Sequence, residues 1–305
     1  MKYAFIFPGQ GSQAIGMGKD FYEDSPLARE LFEESSEILK VDMKDMLFNP
    51  NDSINQTQFT QPAILLISYI SYRLFKKQSE IAPSVALGHS LGEITANLIA
   101  ESISFENAIR LVFERGKLMQ KVSEGKNAGM AVVIGLDDEI LDNFCKQKGN
   151  IWCANFNSDG QCVLAGLKAD LLNVESEIKS LGAKRFLLLN MSIASHCPLL
   201  KDMSADFSGI LEQYLSDNFL CDIISNATME SYNDKASAVN LLTKQLTLPV
   251  LYKQSIKKIE NEVDCFIEFG YGGVLKGLNK RLSTKTTHSI GTMQNLNNIL
   301  EELSK

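Results

Sequence analysis

Residues 84–100 read Ser-Val-Ala-Leu-Gly-His-Ser-Leu-Gly-Glu-Ile-Thr-Ala-Asn-Leu-Ile-Ala, which is a short apolar strand, a tight turn and a helix-like run in immediate succession. The turn, Gly88-His89-Ser90-Leu91-Gly92, has the pattern G-x-S-x-G, in which a serine on a sharp strand-to-helix turn exposes its Oγ. A side chain at either glycine would collide with the strand or the helix. The stretch predicts an α/β protein with Ser90 as a nucleophile, against the alternative of a glycine-rich turn with an idle serine.

The elements around this turn follow an α/β order. Residues 3–7 are a strand-like run before a glycine-rich loop at 8–13. Ser25-Pro26 has the form of an N-cap with proline at the first helical position, and an amphipathic pattern follows it. Gln61-Pro62 is expected to begin a second helix, over 63–75, that is apolar on most sides and therefore buried.

Residues 125–189 have a different pattern, typical of a second, smaller unit. Apolar runs predict strands at 130–134, 151–155, 162–165 and 185–189, and helical spacing predicts helices at 137–148 and 169–181. The order βαββαβ is the ferredoxin-like arrangement. We therefore expect a small subdomain at 125–189, inserted into a larger α/β body formed by 1–124 and 190–305.

Composition excludes several classes of protein. The chain has 305 residues, 45% hydrophobic and 22% charged, which argues against disordered, collagen-like and coiled-coil proteins. A formal net charge of -7 argues against nonspecific nucleic-acid binding. The longest apolar stretch, at 63–70, is too short to span a membrane, and the first residues lack the apolar core of a secretory signal. Six cysteines without a C-x-x-C pair predict reduced thiols, no zinc site and a cytoplasmic protein.

A nucleophilic serine needs a base, and the chain has three histidines. His89 directly precedes Ser90, so its side chain should point away from the Oγ, and His288 lies in a polar segment that is expected to face solvent. Elimination favours His196, which follows the nucleophile in chain order as the base does in α/β-hydrolases. The eight residues before His196 include no Asp or Glu, so its orienting acceptor can be a backbone carbonyl.

Arg115 lies on the apolar stripe of a helix predicted over 104–122. Two explanations are open: its guanidinium reaches the surface along the helix, or it is buried against an anion. A guanidinium near the serine would select an acyl group with a free carboxylate, which it can hold by two parallel hydrogen bonds.

Seven motifs, in order, resemble those of malonyl-CoA:acyl carrier protein transacylases. They are Phe7-Pro8-Gly9-Gln10-Gly11-Ser12-Gln13, Thr60-Gln61-Pro62-Ala63, Gly88-His89-Ser90-Leu91-Gly92-Glu93, Arg115-Gly116 with Met119-Gln120, Asn155-Phe156-Asn157-Ser158 with Gly160-Gln161, Ser195-His196 and Glu268-Phe269-Gly270. The match runs from residue 3 to about residue 281.

This resemblance implies an enzyme of fatty acid synthesis with an α/β-hydrolase-like large subdomain built on a parallel sheet. It assigns Ser90 as the acyl nucleophile, His196 as its base and Arg115 as the group that binds the malonyl carboxylate. It gives the oxyanion hole to the backbone N–H groups of Gln10 and Leu91, and places Gln61 and Asn157 among the substrate-binding residues. The carbonyl that orients the histidine would be that of Leu251.

The resemblance also implies the reaction and its partners. A malonyl group passes from malonyl-CoA to Ser90 and then to the phosphopantetheine thiol of acyl carrier protein. Two thioesters are exchanged, so no metal, nucleotide or redox cofactor is expected. Alternatives are a serine thioesterase or other hydrolase, a silent carrier-binding subunit, and an acyltransferase for another extender unit such as methylmalonyl, because Ile193-Ala194-Ser195-His196 loosely matches a methylmalonyl-selecting signature.

Two basic clusters are candidates for docking an acidic carrier protein. One is Lys276, Lys280 and Arg281, and the other is Lys184-Arg185 at the end of the predicted insert. Because the chain is itself acidic, a local basic surface would have to steer the encounter. We expect the protein to act as a monomer.

The chain departs from the family pattern at three positions. Leu251 stands where Gln is frequent, Tyr252 replaces Trp, and Tyr271 stands in place of a Gly-Pro-Gly turn. The first two are compatible with a carbonyl as the orienting group. The third predicts a different turn after Gly270.

Overall fold

The computed structural model describes residues 1–303, which form two β-sheets with helices packed around them. The strands are β1 (Tyr3–Phe7), β2 (Pro83–Gly88), β3 (Ala128–Ile134), β4 (Ile151–Ser158), β5 (Gln161–Leu167), β6 (Arg185–Leu188), β7 (Asp222–Ile224), β8 (Ser231–Tyr232), β9 (Cys265–Phe269) and β10 (Thr286–Ile290). The helices are α1 (Lys19–Asp24), α2 (Pro26–Leu39), α3 (Met43–Phe48), α4 (Thr57–Lys76), α5 (Leu91–Ile99), α6 (Phe105–Ser123), α7 (Asp138–Lys148), α8 (Lys168–Ser180), α9 (Ser204–Tyr214), α10 (Lys235–Gln245), α11 (Tyr252–Ile259), α12 (Val274–Asn279) and α13 (Met293–Leu303). Short 3-10 turns lie at Ser53–Asn55, Pro198–Met203 and Tyr271–Gly273.

The larger sheet has the order β10-β9-β1-β2-β7-β8, and its strands are parallel except β8, which is antiparallel to β7. Strand β1 lies at its centre and is buried along its whole length. Alternate residues supply two different cores, with Phe5 and Phe7 on one face and Ala4 and Ile6 on the other. Burial on both faces explains why this strand is a continuous apolar run without polar alternation.

The smaller sheet has the order β4-β5-β3-β6 and is antiparallel throughout. One face packs on α7 and α8 through residues such as Ala131 and Val133. The other face, which carries Met130 and Val163, is turned towards the segment that holds His196. The predicted βαββαβ order and the mixed α/β fold class are confirmed.

The hairpin of this sheet is tighter than the sequence predicts. The predicted strands at 151–155 and 162–165 leave a longer connection, but β4 continues to Ser158 and β5 begins at Gln161, so only Asp159 and Gly160 turn the chain. Gly160 has a φ of 66°, a left-handed conformation that glycine adopts without steric strain. As a result Asn157 belongs to a strand.

The helix predicted over 63–75 begins six residues earlier, at Thr57, and contains Pro62. Close packing against α6 holds this first part of α4, since a Cβ at Gly116 would lie 2.5 Å from the Cα of Gln58. The hydroxyl of Thr60 also donates to the carbonyl oxygens of Ile54 and Gln56, at 2.6 and 3.0 Å. Tertiary contacts therefore outweigh the preference of proline for a helix start.

The two sheets are joined by backbone and by charge. Phe156 of β4 donates its N–H to the carbonyl of Val250 at 2.9 Å, and Val250 donates to the carbonyl of Ala154 at 2.8 Å. Beside this bridge, Lys253 of α11 forms ion pairs with Asp138 and Asp159 of the smaller unit. The smaller sheet is thereby fixed over one end of the larger one.

None of the helices within residues 1–303 has both the length and the apolar character needed to cross a bilayer.

Candidate active site

Ser90 occupies a strained turn at the carboxyl end of β2, directly before α5. Its φ of 55° and ψ of -106° lie outside the regions that most residues adopt. A Cβ on Gly88 would be 1.8 Å from the carbonyl carbon of Gly92, and one on Gly92 would be 1.9 Å from the carbonyl oxygen of Phe7. Both glycines are therefore required by the close approach of strand and helix, as the sequence predicts.

His196 meets Ser90 across the cleft. Its Nε2 lies 2.8 Å from Ser90 Oγ, and its Nδ1 lies 2.7 Å from the backbone oxygen of Gln245. A carbonyl can only accept, so Nδ1 carries the proton and Nε2 is free to accept the Ser90 hydroxyl hydrogen. Burial, reinforced by the nearby charge of Arg115, lowers the pKa of His196 to about 3, so the imidazole is neutral at pH 7.

The prediction that the carbonyl of Leu251 orients His196 is wrong. That oxygen accepts from the N–H and the hydroxyl of Ser255, because Leu251 is the residue before α11 and its carbonyl points into the helix. Gln245 is the last residue of α10, where carbonyls lack partners within the helix and carry the negative end of its dipole. A backbone carbonyl does face the histidine, six residues earlier in the chain than predicted.

Arg115 is buried, with 1% of its surface exposed, so the explanation in which it reaches the surface is wrong. Its Nη1 donates to Gln61 Oε1 at 3.0 Å, and its Nη2 donates to Gln245 Oε1 at 3.0 Å and to Ser90 Oγ at 3.3 Å. Its Nε has no hydrogen-bond partner among the described residues. Burial lowers the pKa of Arg115 to about 10, which leaves the guanidinium charged at neutral pH.

These groups line a cleft of about 340 Å³ between the two sheets. The larger sheet and the helices packed on it contribute one end, which includes Gln10, Gln61 and the first residue of α5, Leu91. Leu91 is the first residue of α5, so its N–H has no partner within that helix. The smaller sheet contributes the opposite wall, which is apolar at Met130, Val132 and Val163 and polar at Asn155, Asn157 and Gln161. A more open hollow of about 640 Å³ beside α2 is lined by none of the predicted site residues.

The other two histidines take no part in the Ser90 contact. His89 Nε2 lies 2.8 Å from Asn157 Oδ1, so its ring points away from Ser90 Oγ as predicted, and this contact engages Asn157. His288 was expected to face solvent, but it is 8% exposed, because it belongs to β10 and α13 packs beside that strand.

The basic clusters lie at different places around the molecule. Lys184 and Arg185 are exposed at the start of β6, where Arg185 pairs with Ile134 and Leu187 pairs with Val132. Directly paired residues share a face of the sheet, so Arg185 is on the same face as the cleft-lining Val132. Lys280 and Arg281 are exposed just after α12, and Lys276 is half-buried.

Sequence reasoning missed four polar residues behind the site. Glu93, Asn226, Tyr232 and Gln245 are all buried and are linked by hydrogen bonds beneath Ser90. Glu93 carries the one available signal, since it is an acidic residue one turn after Ser90 in an otherwise uncharged helix. The other three lie in segments whose patterns give no indication of proximity to the serine.

The chain is similar to known acyl transferases. An acyl transferase domain family matches residues 4–301. Malonyl CoA-acyl carrier protein transacylases from Haemophilus influenzae and Escherichia coli K12 are 38% and 36% identical over 288 and 294 residues, covering 92% and 94% of this chain and 92% and 95% of theirs.

Solved structures agree. The malonyl-CoA:acyl carrier protein transacylase of Helicobacter pylori superposes with a TM-score of 0.99 at 51% identity, over 100% of this chain and 99% of that one. A malonyl-transacylase in complex with its type II PKS acyl-carrier protein matches with a TM-score of 0.95 at 35% identity, over 99% of this chain and all of the other. The chain belongs to the malonyl-CoA:acyl carrier protein transacylase family, so the family resemblance found in the sequence is confirmed.

Proposed function

We propose that the protein transfers a malonyl group from malonyl-CoA to the thiol of acyl carrier protein through a malonyl ester on Ser90. The observation that carries this proposal is the chain of contacts from Gln245 O through His196 to Ser90 Oγ, with the Arg115 guanidinium 3.3 Å from the same Oγ. These contacts support the role of Ser90 as an activated nucleophile beside a fixed positive charge.

In the first half-reaction His196 Nε2 accepts the Ser90 proton as Oγ attacks the thioester carbonyl. The oxyanion that forms is held by the backbone N–H groups of Leu91 and Gln10. The tetrahedral intermediate collapses, the bond from carbon to sulfur breaks, and His196 returns its proton to the departing thiolate of CoA. The product is a malonyl ester on Ser90.

The second half-reaction reverses these steps with a different thiol. His196 removes the proton from the phosphopantetheine thiol of the carrier protein, and the thiolate attacks the ester. Collapse of that intermediate forms the new thioester and returns the proton to Ser90 Oγ. A thioester is consumed and a thioester is made, so the chemistry requires neither a redox cofactor nor a metal.

Arg115 supplies the preference for malonyl. Arg115 Nε has no hydrogen-bond partner among the described residues, and Nη2 on the same edge of the guanidinium donates to Ser90 Oγ, the atom that would carry the acyl group. A malonyl carboxylate that replaces this 3.3 Å contact can accept two parallel hydrogen bonds from that edge. An acetyl group offers no such acceptor. A hydrolase would have no use for this charge, and a silent subunit would have no need for the Ser90–His196 contact.

Intact mass measurement tests the proposal. The protein is mixed separately with malonyl-CoA, acetyl-CoA and methylmalonyl-CoA, and then with the phosphopantetheinylated carrier protein. We expect a malonyl adduct that disappears as malonyl carrier protein accumulates. Loss of the adduct to water in the absence of carrier protein would identify a thioesterase, and preferential labelling by methylmalonyl-CoA would identify another extender unit. The predicted monomeric state and cytoplasmic location stay predictions.

A further inference from the structure

A buried carboxylate lies directly beneath the serine turn. Glu93 is fully buried, and its Oε2 accepts from Gln245 Nε2 at 2.7 Å and from the backbone N–H of Asn226 at 2.9 Å. Its Oε1 accepts from the hydroxyl of Tyr232 at 3.0 Å. The mechanism above assigns no role to this group.

The contacts of Gln245 link this carboxylate to Arg115. Gln245 Nε2 donates to Glu93 Oε2 at 2.7 Å and to the backbone oxygen of Ser90 at 3.1 Å, and Gln245 Oε1 accepts from Arg115 Nη2 at 3.0 Å. A side-chain amide can be turned end for end in the same space, which exchanges its oxygen and nitrogen. A carboxylate only accepts and a guanidinium only donates, so a single orientation satisfies both neighbours.

The orientation of the Gln245 amide determines how the Arg115 guanidinium is held. With Gln245 Oε1 towards Arg115, the guanidinium is held by acceptors at both Nη atoms, Gln61 on one side and Gln245 on the other. If the amide turned over, its NH2 group would face the guanidinium and the contact to Nη2 would be lost. The backbone carbonyl of Gln245 that holds His196 would be unaffected, because it belongs to the main chain.

We infer that Glu93 is a positioning residue for malonyl selection: together with the backbone oxygen of Ser90, its carboxylate fixes the orientation of the Gln245 amide, and that amide holds Arg115 where it meets the free carboxylate of the acyl group. This inference rests on the proposed function. It separates two tasks within one residue, because the side chain of Gln245 serves acyl selection and its carbonyl serves the base.

The pKa values of the groups around Glu93 allow its protonation to be followed separately from theirs. Burial raises the pKa of Glu93 to about 7, against the opposing effects of its hydrogen bonds and of Arg115. Two titratable groups face it, Arg115 from α6 and Tyr232 from β8, with pKa values of about 10 and well above 10, while Asn226 and Gln245 are neutral. The pKa of His196 is lowered to about 3, and a malonyl carboxyl group has a pKa of roughly 4. Among these groups, Glu93 is therefore the one that changes charge between pH 5 and 9. His89, whose pKa is lowered by burial, lines the same cleft but its ring faces Asn157.

The experiment compares kcat/KM for malonyl-CoA with kcat/KM for acetyl-CoA across pH 5–9, because the ratio cancels effects that both substrates share. In the wild-type protein we expect the ratio to fall as pH drops through about 7, since a protonated Glu93 no longer demands a donor from Gln245. Glu93→Gln keeps the size of the side chain and removes its obligate acceptor character. We expect this variant to lose about tenfold or more in the ratio at pH 8, and to show no dependence of the ratio on pH near 7.

A second variant tests the same idea without altering Glu93 or Gln245. Tyr232→Phe removes the hydrogen bond to Glu93 Oε1, which stabilises the charged form, so the pH at which the ratio falls should move upward. The matched control is Glu268→Gln, which alters another fully buried glutamate that instead accepts from the backbone N–H groups of Leu275 and Lys276. It should leave the ratio and its pH dependence unchanged.

Each outcome separates this inference from the proposed function. A wild-type protein that forms no malonyl ester contradicts the proposed function itself. If wild type prefers malonyl and a folded Glu93→Gln keeps that preference and its pH dependence, Glu93 is structural and the inference is wrong. If Glu93→Gln fails to fold, an unchanged pH dependence in Tyr232→Phe overturns the inference.

Discussion

The two sheets that border the cleft contribute to it unequally. The larger, mostly parallel sheet presents Ser90 and Gln10 at the carboxyl ends of its strands, and its associated helices add Arg115, Gln61 and the carbonyl of Gln245. The smaller, antiparallel sheet presents apolar side chains and amides from one face. Parallel strands bring all their carboxyl ends to one edge, where loops and helix N-termini converge, so chemistry is concentrated there. An antiparallel sheet offers a flat wall that shapes the cleft and its entrance.

Replacing the nucleophile tests the reactive side of this comparison most severely. Ser90→Ala should abolish the acyl-enzyme while the protein stays folded, because the turn accommodates a smaller side chain. Intact mass after incubation with malonyl-CoA is the measurement. A malonyl mass increment that persists on the alanine variant would show that another residue is the nucleophile. The larger sheet would then not supply the reactive group through Ser90.

The next largest loss of activity is expected when the base, His196, is removed. His196→Ala should reduce malonyl transfer by about 10²-fold or more, the usual effect of losing a general base. Since His196 is neutral at pH 7, the wild-type rate should not fall through loss of this base until the pH approaches about 3. The control is His288→Ala in β10, which contacts none of these groups. Equal losses in both variants would show that the effect is on folding.

Arg115 is expected to affect selection more than reactivity. Arg115→Ala should lower malonyl transfer by about 10- to 100-fold, the scale of a lost hydrogen bond to a charged group, and should improve acetyl transfer relative to malonyl. Arg115→Lys should restore little, because an ammonium lacks the planar pair of donors. Arg110→Ala, on the same helix but half-exposed and paired with Glu106, is the control. A loss that is equal for both acyl groups would make Arg115 structural.

The smallest effect is expected on the side of the antiparallel sheet. Changing Lys184 and Arg185 together to Glu should raise the KM for carrier protein by about threefold to tenfold, without changing the KM for malonyl-CoA, and added salt should reduce the difference. Lys280 and Arg281, changed in the same way, test the other cluster. Lys76 and Lys77 are the matched control, since they lie at the far end of α4, roughly 20 Å along the helix from Gln61.

The results for the two basic clusters would show which of the two sheets recognises the carrier protein. An effect confined to Lys184 and Arg185 would make the smaller sheet the site of carrier recognition as well as the cleft wall. An effect confined to Lys280 and Arg281 would place both recognition and chemistry on the larger sheet. No effect at low ionic strength from either pair would show that the carrier protein docks elsewhere.

The sequence predicted what depends on local patterns. The strand, glycine turn and helix around Ser90 were predicted because steric demands at Gly88 and Gly92 act over a few residues. The βαββαβ order was predicted because the spacing of apolar residues within each segment indicates whether that segment is a strand or a helix. Elimination among three histidines was enough to identify His196, which does meet Ser90 Oγ.

What the sequence could not predict depends on contacts between distant segments. The choice between Leu251 and Gln245 is decided by which carbonyl remains free after α10 ends and α11 begins. The start of α4 is decided by packing against Gly116, and the burial of His288 by the position of α13. Glu93 and Tyr232 are 139 residues apart in the chain, and no periodicity records their hydrogen bond.

The peptide carbonyl behind His196 gives the site an unusual tolerance to mutation. In a triad whose third member is an aspartate, a single codon change can delete the acceptor. Here the acceptor is the main chain of Gln245, and every amino acid at that position carries the same oxygen. Substitutions at residue 245 should therefore spare the orientation of the base while altering the amide contacts to Arg115 and Glu93. Acyl preference can thus change in the course of evolution at a position where the proton-transfer machinery is preserved by the backbone.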